Sequence, residues 1–265
     1  MGPSSSTVPP ARPNAGLPNL RHNIGVVRAR PLETVFVDVG GTLRPNSFTL
    51  TPSLSDQRQR ALSALLGTTP RTSAALIEEI ELAIATTPEA SADVVVARVL
   101  AGQGFEEGAV NARQVRHALC VEVVDACPPF EHAGELLAGV KDLGWQCIVL
   151  SNTVLRDAEI YRHDFEALGW DRWVDAYVTS VDVGFSKPDP RIFLAALAVA
   201  GSAPRRCAMV GNSEYADIAP AARLGMSTIL VAIEDRFPVE SRADAGVTHL
   251  LGALDVLKSW AQTGT

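Results

Sequence analysis

A short apolar stretch near the start of the chain ends in a side chain that could act as a nucleophile. Residues 35–37 read Val-Phe-Val, Asp38 follows, and the chain continues Val-Gly-Gly-Thr to Thr42. An apolar run that leads into a glycine pair predicts a buried strand followed by a sharp turn. Asp38 would then lie at the carboxyl end of a strand, where open α/β sheets bind their ligands. A carboxylate at such a place can attack an electrophilic centre and form a covalent acyl intermediate.

Three further loops carry polar residues close to apolar segments. The first holds Ser151 and Asn152, the second holds Lys187 before a proline, and the third runs from Asn212 to Asp217. The carboxyl ends of parallel strands lie at one edge of a sheet, so these loops can converge on Asp38. Together they would supply a cation, hydroxyl and amide donors, and a second carboxylate.

The elements that would position these loops alternate between strand and helix after residue 128. The apolar patterns predict strands at 33–38, 147–150, 176–179, 206–210 and 227–231, and helices at 132–142, 157–168, 189–200, 215–224 and 252–261. An apolar run, His249-Leu250-Leu251, precedes the last of these helices. Strands that alternate with helices predict an α/β fold with a doubly wound, Rossmann-like parallel sheet.

Residues 54–125 follow a different pattern. Their apolar side chains recur at intervals of three and four, and prolines and glycines break the runs. This predicts about four helices and no strand, inserted after the first strand. The predicted organisation is therefore a disordered, proline-rich tail at 1–31, a core domain formed by 32–46 and 128–265, and a helical cap domain at 47–127.

The four loops, in this order, resemble the four motifs of the haloacid dehalogenase-like (HAD) superfamily. The resemblance covers about residues 33–235, and the helical insertion has the position of the family's first cap type. It implies that Asp38 is the nucleophile and that Lys187 and Ser151 hold the transferred group. It also implies that Thr42 orients the first loop and binds phosphate, and that Asn152 contributes to phosphate binding. The two chain crossings near Leu43–Pro45 and Cys127–Pro129 would act as the hinge of the cap.

The resemblance also implies a Mg²⁺ site. Its ligands would be the carboxylates of Asp38 and Asp217 and the backbone carbonyl oxygen of Gly40. Asn212 occupies the place where relatives usually carry Asp, and its amide oxygen remains a ligand without charge. Glu214, in the same loop, is a further candidate. Oxygen donors of this kind suit Mg²⁺, which also keeps several waters.

Gly40 departs from the family pattern, because phosphatases of the family carry a second Asp there as general acid and base. Three interpretations remain open. In the first, the chain is a Mg²⁺-dependent phosphatase acting on an ester or anhydride of a small metabolite. The leaving group then departs without a proton, as that of an acyl phosphate or anhydride does, or the proton comes from the substrate or from a residue near the cap. Candidate residues are Glu131, Asp125 and Asp56.

The second interpretation is a catalytically impaired protein that binds a phosphorylated ligand or a partner. The third is a 2-haloacid dehalogenase, a branch that lacks this Asp. The branch that cleaves carbon–phosphorus bonds is not favoured, because it uses a cap lysine and residues 44–127 contain none.

The composition of the whole chain limits the classes of partner that it is expected to bind. The net charge of −7 and the pI of about 5.3 give no electrostatic reason to expect nucleic-acid binding. No apolar run approaches the ~20 residues of a membrane-spanning helix, and the N-terminus lacks a signal-peptide core. The four cysteines form no Cys-x-x-Cys pair, which favours reduced thiols. We therefore expect a cytoplasmic monomer or homodimer that binds a small phosphorylated metabolite.

Overall fold

The fold was analysed in a computed structural model. It describes residues 31–45, 52–87, 91–106, 110–120, 127–233, 237–238 and 240–263. Residues 1–30 of the predicted tail and the candidate proton donor Asp125 lie outside these ranges.

A six-stranded parallel sheet forms the centre of the core. Its strands are β1 (Thr34–Val37), β2 (Gln146–Ser151), β3 (Ala176–Thr179), β4 (Cys207–Gly211), β5 (Ser227–Val231) and β6 (Ala245–Val247). They are ordered β3-β2-β1-β4-β5-β6, and Phe36 of β1 pairs with Ile148 on one side and Met209 on the other. The strands β2 and β3 therefore lie on one side of β1, and β4, β5 and β6 lie on the other. The point between β1 and β4 where the strand order reverses is the switch point at which such sheets bind ligands.

Helices cover both faces of the sheet. The core helices are α5 (Ala133–Asp142), α6 (Ala158–Ala167), α7 (Ser180–Val183), α8 (Pro190–Ala200), α9 (Ala219–Arg223) and α10 (Leu250–Thr263). Side chains alternate across β1, so Val35 and Val37 pack with residues of α5, α6 and α10, whereas Phe36 packs with α8 and α9. This double burial explains why the strands read as continuous apolar runs.

The described part of the inserted segment contains four helices, as predicted. They are α1 (Pro52–Leu66), α2 (Pro70–Thr86), α3 (Ala92–Gly102) and α4 (Ala112–Ala118). They share their own apolar cluster, which includes Leu62, Ile80, Val96 and Val115. The two crossings between insertion and core lie side by side, since Phe130 N donates to Leu43 O at 2.9 Å. The predicted fold class is confirmed; the domain boundaries and the hinge stay predictions.

Two local assignments differ from the sequence prediction. Leu250 and Leu251 of the apolar run already belong to α10, which begins at Leu250. The strand β6 at Ala245–Val247 was not predicted because it is only 3 residues long and contains a glycine. The helix predicted at 215–224 begins with a π-helical turn, Glu214–Ile218, before α9. Within the described ranges, no helix combines the length and apolarity needed to cross a membrane.

Candidate functional site

Asp38 lies directly after β1, at the switch point of the sheet. Its backbone N donates to Val210 O at 2.9 Å, which extends the ladder between β1 and β4 by one residue. Its side chain is buried, and Oδ2 accepts a hydrogen bond from Thr42 Oγ1 at 3.0 Å. Thr42 thus fixes the orientation of the carboxylate from within the same turn.

Lys187 reaches Asp38 from the loop between α7 and α8. Its Nζ donates to Asp38 Oδ1 and to Asp217 Oδ1, each at 2.6 Å, and to Leu150 O at 2.9 Å. Burial alone would lower the pKa of Lys187, but the carboxylates of Asp217 and Asp38 raise it above its ordinary value. The ammonium group therefore stays charged and joins the two carboxylates.

Asp217 extends from the π-helical turn toward the end of β4. Its Oδ2 accepts from Ser213 N at 3.0 Å, and its carboxylate packs so closely on Gly211 that a Cβ there would lie 2.5 Å from Asp217 Cγ. Burial raises the pKa of Asp217 to about 6, although the charge of Lys187 acts in the opposite direction. A glycine at the end of β4 is thus needed for this carboxylate to fit.

Gly41 and Asn212 meet across the neighbouring loops. Gly41 has φ +77°, a conformation that glycine adopts without strain, and a Cβ added to it would overlap the side-chain amide of Asn212. The second glycine of the pair is therefore required twice, by its backbone angle and by the close approach of Asn212. Gly40, in contrast, does not have a positive φ.

Ser151 and Tyr161 form a buried hydrogen-bonded pair beside this loop. Their hydroxyl oxygens lie 3.0 Å apart, and the Ser151 hydroxyl also lies 3.3 Å from Asn152 O. A serine hydroxyl can accept one hydrogen bond while it donates another. Tyr161 can therefore donate to Ser151, whose own proton is directed to Asn152 O in this structure. Sequence reasoning missed Tyr161, whose only signal was its place in the apolar pattern of α6.

A cavity of about 570 Å³ opens at this edge of the sheet. Six of the predicted site residues line it, namely Asp38, Gly40, Asn152, Lys187, Asn212 and Asp217. Thr42 and Ser151 are buried and do not belong to the lining. Ser213, Glu214, Ala216 and Pro238 complete it. Pro238 was not anticipated, because it follows β5 and belongs to none of the four loops.

The cavity offers oxygen donors that fit a magnesium ion. The two carboxylates of Asp38 and Asp217 outnumber the single cation Lys187, and Gly40 and Asn212 add neutral oxygens nearby. No group of three or more His, Cys, Asp or Glu suited to a metal occurs in the described ranges. One or two carboxylates with neutral oxygens suit Mg²⁺, which retains several waters when it binds to a protein.

Two of the three candidate proton donors near the cap, those within the described ranges, lie elsewhere. Asp56 is exposed on α1, and Glu131 is exposed beside His132, 3.4 Å from its Nε2. Neither lines the cavity. The described lining therefore contains no residue from the cap side that replaces the missing carboxylate at position 40.

Comparison with known proteins identifies related sequences and folds. A family model described as haloacid dehalogenase-like hydrolase matches residues 32–225. A glyceraldehyde 3-phosphate phosphatase of Methanothermobacter thermautotrophicus is 40% identical over 108 residues, which make up 40% of this chain and 46% of that protein. The chain spans about half the length, or less, of the curated relatives it matches.

Solved structures with low sequence identity share the fold. A 2-haloacid dehalogenase of Pseudomonas syringae pv. Tomato aligns with a TM-score of 0.60 at 20% identity, over 87% of this chain and 100% of that one. A magnesium-bound HAD hydrolase of Bacillus subtilis aligns with a TM-score of 0.52 at 17% identity, over 86% and 99%. At these identities the structural similarity establishes the architecture, and the chemistry must be argued from the site.

Proposed function

This chain belongs to the haloacid dehalogenase-like hydrolase family, and we propose that it is a Mg²⁺-dependent phosphatase acting on a small phosphorylated metabolite. The observation that carries the proposal is the bridge from Lys187 Nζ to Asp38 Oδ1 and Asp217 Oδ1, 2.6 Å each, in a cavity at the switch point. The partial similarity to a glyceraldehyde 3-phosphate phosphatase supports a phosphate ester as substrate.

The proposed reaction has two displacement steps at phosphorus. First, a carboxylate oxygen of Asp38 bonds to phosphorus while the bond to the ester or anhydride oxygen breaks, and that oxygen leaves with the electron pair. Next, water attacks phosphorus, loses a proton to solvent, and releases inorganic phosphate from the aspartyl-phosphate. The Asp38 carboxylate is thereby regenerated.

The other residues would stabilise the charge that the reaction brings together. Lys187 neutralises Asp38 and a phosphoryl oxygen, and the Ser151 hydroxyl donates to another. Thr42 keeps the carboxylate of Asp38 oriented, and Asn152 holds the loop of Lys187. The hydrogen bonds of Thr42, Asn152 and Lys187 support these roles, and the role of Ser151 extends the family resemblance to this chain.

Mg²⁺ would be held by Asp38, Asp217, the Gly40 carbonyl oxygen and Asn212. When bound, it supplies positive charge that offsets the negative phosphoryl oxygens. Because Asn212 is uncharged where relatives usually carry Asp, we expect the affinity for Mg²⁺ to be modest.

The absence of a side chain at residue 40 bears on the substrate. A positioned general acid and base contributes about 10²–10⁴ in rate, so an alkyl phosphate would turn over slowly here. The leaving group of an acyl phosphate or anhydride departs as a stable anion, so its departure depends less on protonation. We propose that substrates with such leaving groups are preferred.

Phosphate release tests the proposal. An acyl phosphate, a sugar phosphate, glyceraldehyde 3-phosphate and an aryl phosphate would be assayed with and without Mg²⁺. The Asp38→Asn variant should abolish release, whereas Asp255→Asn, a matched change at an exposed position on α10, should not. Release that is independent of Asp38 would contradict the mechanism. No release from folded protein, with halide release from 2-haloacids, would instead establish a dehalogenase.

The assignments of 47–127 as the cap, of 32–46 with 128–265 as the core, and of a monomer or homodimer remain part of the proposal. Light scattering measures the oligomeric state. Limited proteolysis near Pro45 and Cys127 tests whether the insertion and the core separate as units.

A further inference from the structure

We propose that Glu214 is a positioning residue that holds the chain segment after β5 against the cavity and so determines how tightly the leaving group is contacted. This inference rests on the proposed phosphatase function. It concerns a part of the cavity wall that the four family-like loops do not supply. Pro238 forms this part, and residues 240–244, which we call the post-β5 segment, follow it in the chain.

Both carboxylate oxygens of Glu214 bind the post-β5 segment. Oε2 accepts from Ser241 Oγ at 2.7 Å, and Oε1 accepts from Arg242 N at 3.1 Å. Ser241 Oγ also accepts from Ala243 N at 3.0 Å, so the hydroxyl links Glu214 to a local turn. Glu214 therefore grips the segment at two successive residues.

The other end of the segment is anchored to the sheet. Thr228 N of β5 donates to Asp244 Oδ2 at 2.9 Å, and Asp244 N donates to Thr228 O at 3.1 Å. One end is thus fixed to β5 and the other to the loop that carries Asp217. Pro238 lies three residues before Ser241, so the anchoring of Ser241 by Glu214 limits how far Pro238 can lie from the loop that carries Asp217.

The chemistry of the cavity lining indicates what this wall contacts. Asp38, Lys187 and Asp217 are charged and form the phosphoryl side of the cavity. Glu214 is also charged, but its carboxylate is bound to Ser241 and Arg242, and Pro238 and Ala216 are uncharged. Uncharged atoms cannot offset phosphoryl charge, but they can pack against the carbon-bearing part of a substrate. We therefore assign Pro238, positioned by Glu214, to the leaving group.

A metal-ligand role and a positioning role require different chemical properties of the Glu214 side chain. A ligand needs the negative charge, while the grip on Ser241 and Arg242 needs only hydrogen-bonding capacity. Glutamine keeps that capacity, because its oxygen can accept from Arg242 N and its amide can donate to Ser241 Oγ. Glu214→Gln and Glu214→Ala therefore separate the two roles.

The test uses the full chain with Mg²⁺ and an aryl phosphate. Glu214→Ala should raise KM about 3–10-fold with kcat changed less than about twofold, the loss expected for one or two hydrogen bonds. Ser241→Ala should reproduce part of this effect, and Glu214→Gln should restore KM. Inhibition by inorganic phosphate, which has no leaving group, should stay within about twofold of the wild-type value in every variant.

Amide exchange at Arg242 gives a second readout that needs no turnover. Exchange should accelerate at least about tenfold in Glu214→Ala and remain slow in Glu214→Gln. Glu166→Ala, an exposed glutamate on α6, serves as the control and should change neither exchange nor KM.

Three results would overturn the inference. A raised Mg²⁺ requirement in Glu214→Gln with Ser241→Ala unchanged would make Glu214 a ligand. An equal loss of phosphate inhibition and substrate affinity would make its role generally structural. Unchanged amide exchange at Arg242 in Glu214→Ala would show that Glu214 does not hold the post-β5 segment. If the wild type shows no Asp38-dependent phosphate release, the proposed function fails together with the leaving-group role, and the exchange data still decide whether Glu214 holds the segment.

Discussion

Asn152 and Lys187 are joined by two reciprocal hydrogen bonds. Asn152 Nδ2 donates to Lys187 O at 2.8 Å, and Lys187 N donates to Asn152 Oδ1 at 2.7 Å. The side chain of one loop thus binds both backbone groups of the residue whose Nζ bridges Asp38 and Asp217. The position of the ammonium group is therefore set by an amide in the loop after β2.

Replacing Asn152 should consequently affect the reaction through Lys187. Asn152→Ala removes both hydrogen bonds, and we expect kcat/KM for an aryl phosphate to fall about 10–100-fold. Asn111→Ala is a matched control, because Asn111 caps α4 in the insertion and should lower stability without this loss of activity. An Asn152→Ala variant that keeps wild-type kcat/KM would show that Lys187 does not depend on this contact.

Residue 40 offers a gain-of-function prediction. Gly40 lacks the positive φ of Gly41, so its backbone accepts a side chain that its neighbour would not. If the proposed chemistry holds, Gly40→Asp supplies a general acid and base, and kcat for an alkyl phosphate should rise about tenfold or more. Gly40→Asn has the same shape but no titratable proton, and the comparison of the two kcat values isolates proton transfer. Equal kcat values in both variants would count against a missing acid.

The Ser151–Tyr161 pair predicts a non-additive response. Ser151→Ala should lower kcat/KM about tenfold, because it removes the proposed phosphate donor. Tyr161→Phe should cost less, since it removes only the support behind that hydroxyl. The double variant should match Ser151→Ala alone, because Tyr161 acts through Ser151. Additive losses in a double-mutant cycle would show that the two hydroxyls act separately.

The sequence predicts best those parts of the site that local patterns determine. Asp38 could be placed because an apolar run, a carboxylate and a glycine pair are contiguous, and parallel topology then brings Lys187 and Asp217 to the same edge. The π-helical turn at Glu214–Ile218 was assigned to a simple helix, since its polar and apolar spacing over five residues does not distinguish the two.

The parts that were missed depend on contacts between distant segments. Tyr161 reaches Ser151 only because α6 packs back on the sheet, and Pro238 lines the cavity although it is distant in sequence from the four loops. β6 is too short to show alternation and is defined by pairing with β5. Such features require the tertiary fold, which propensity and periodicity do not contain.

Arg116 of α4 and Asp157 at the start of α6 form a buried ion pair between the insertion and the core. Arg116 Nη2 lies 2.8 Å from Asp157 Oδ2, which His117 Nε2 also approaches to 2.7 Å, and Arg116 Nη1 donates to Leu155 O at 2.6 Å. Asp157 also caps α6, since its Oδ1 accepts from Ile160 N. The charge at residue 157 therefore couples the inserted helices to the loop that follows Asn152.

Asp157→Asn should weaken this coupling while it keeps the helix cap, because asparagine caps as well as aspartate. We expect the free energy of unfolding at pH 7 to fall by about 1–3 kcal/mol, less than for a fully unpaired charge because Arg116 keeps Asp93 as a partner. Asp189→Asn, which alters the cap of α8 beside the exposed Arg191, is the control and should cost less than Asp157→Asn.

The cost of Asp157→Asn should also depend on pH. Burial would raise the pKa of Asp157, but hydrogen bonds from Arg116 and His117 hold it below its ordinary value of 3.8. The stabilisation from the ionised carboxylate is therefore fully present above that value and is lost as the pH falls through the lower pKa of the folded state. Urea unfolding of both proteins from pH 7 down to about pH 3 should show a difference that persists at neutral pH and shrinks below about pH 4. A difference that is already absent at pH 7 would mean that the ion pair contributes nothing to holding the insertion on the core.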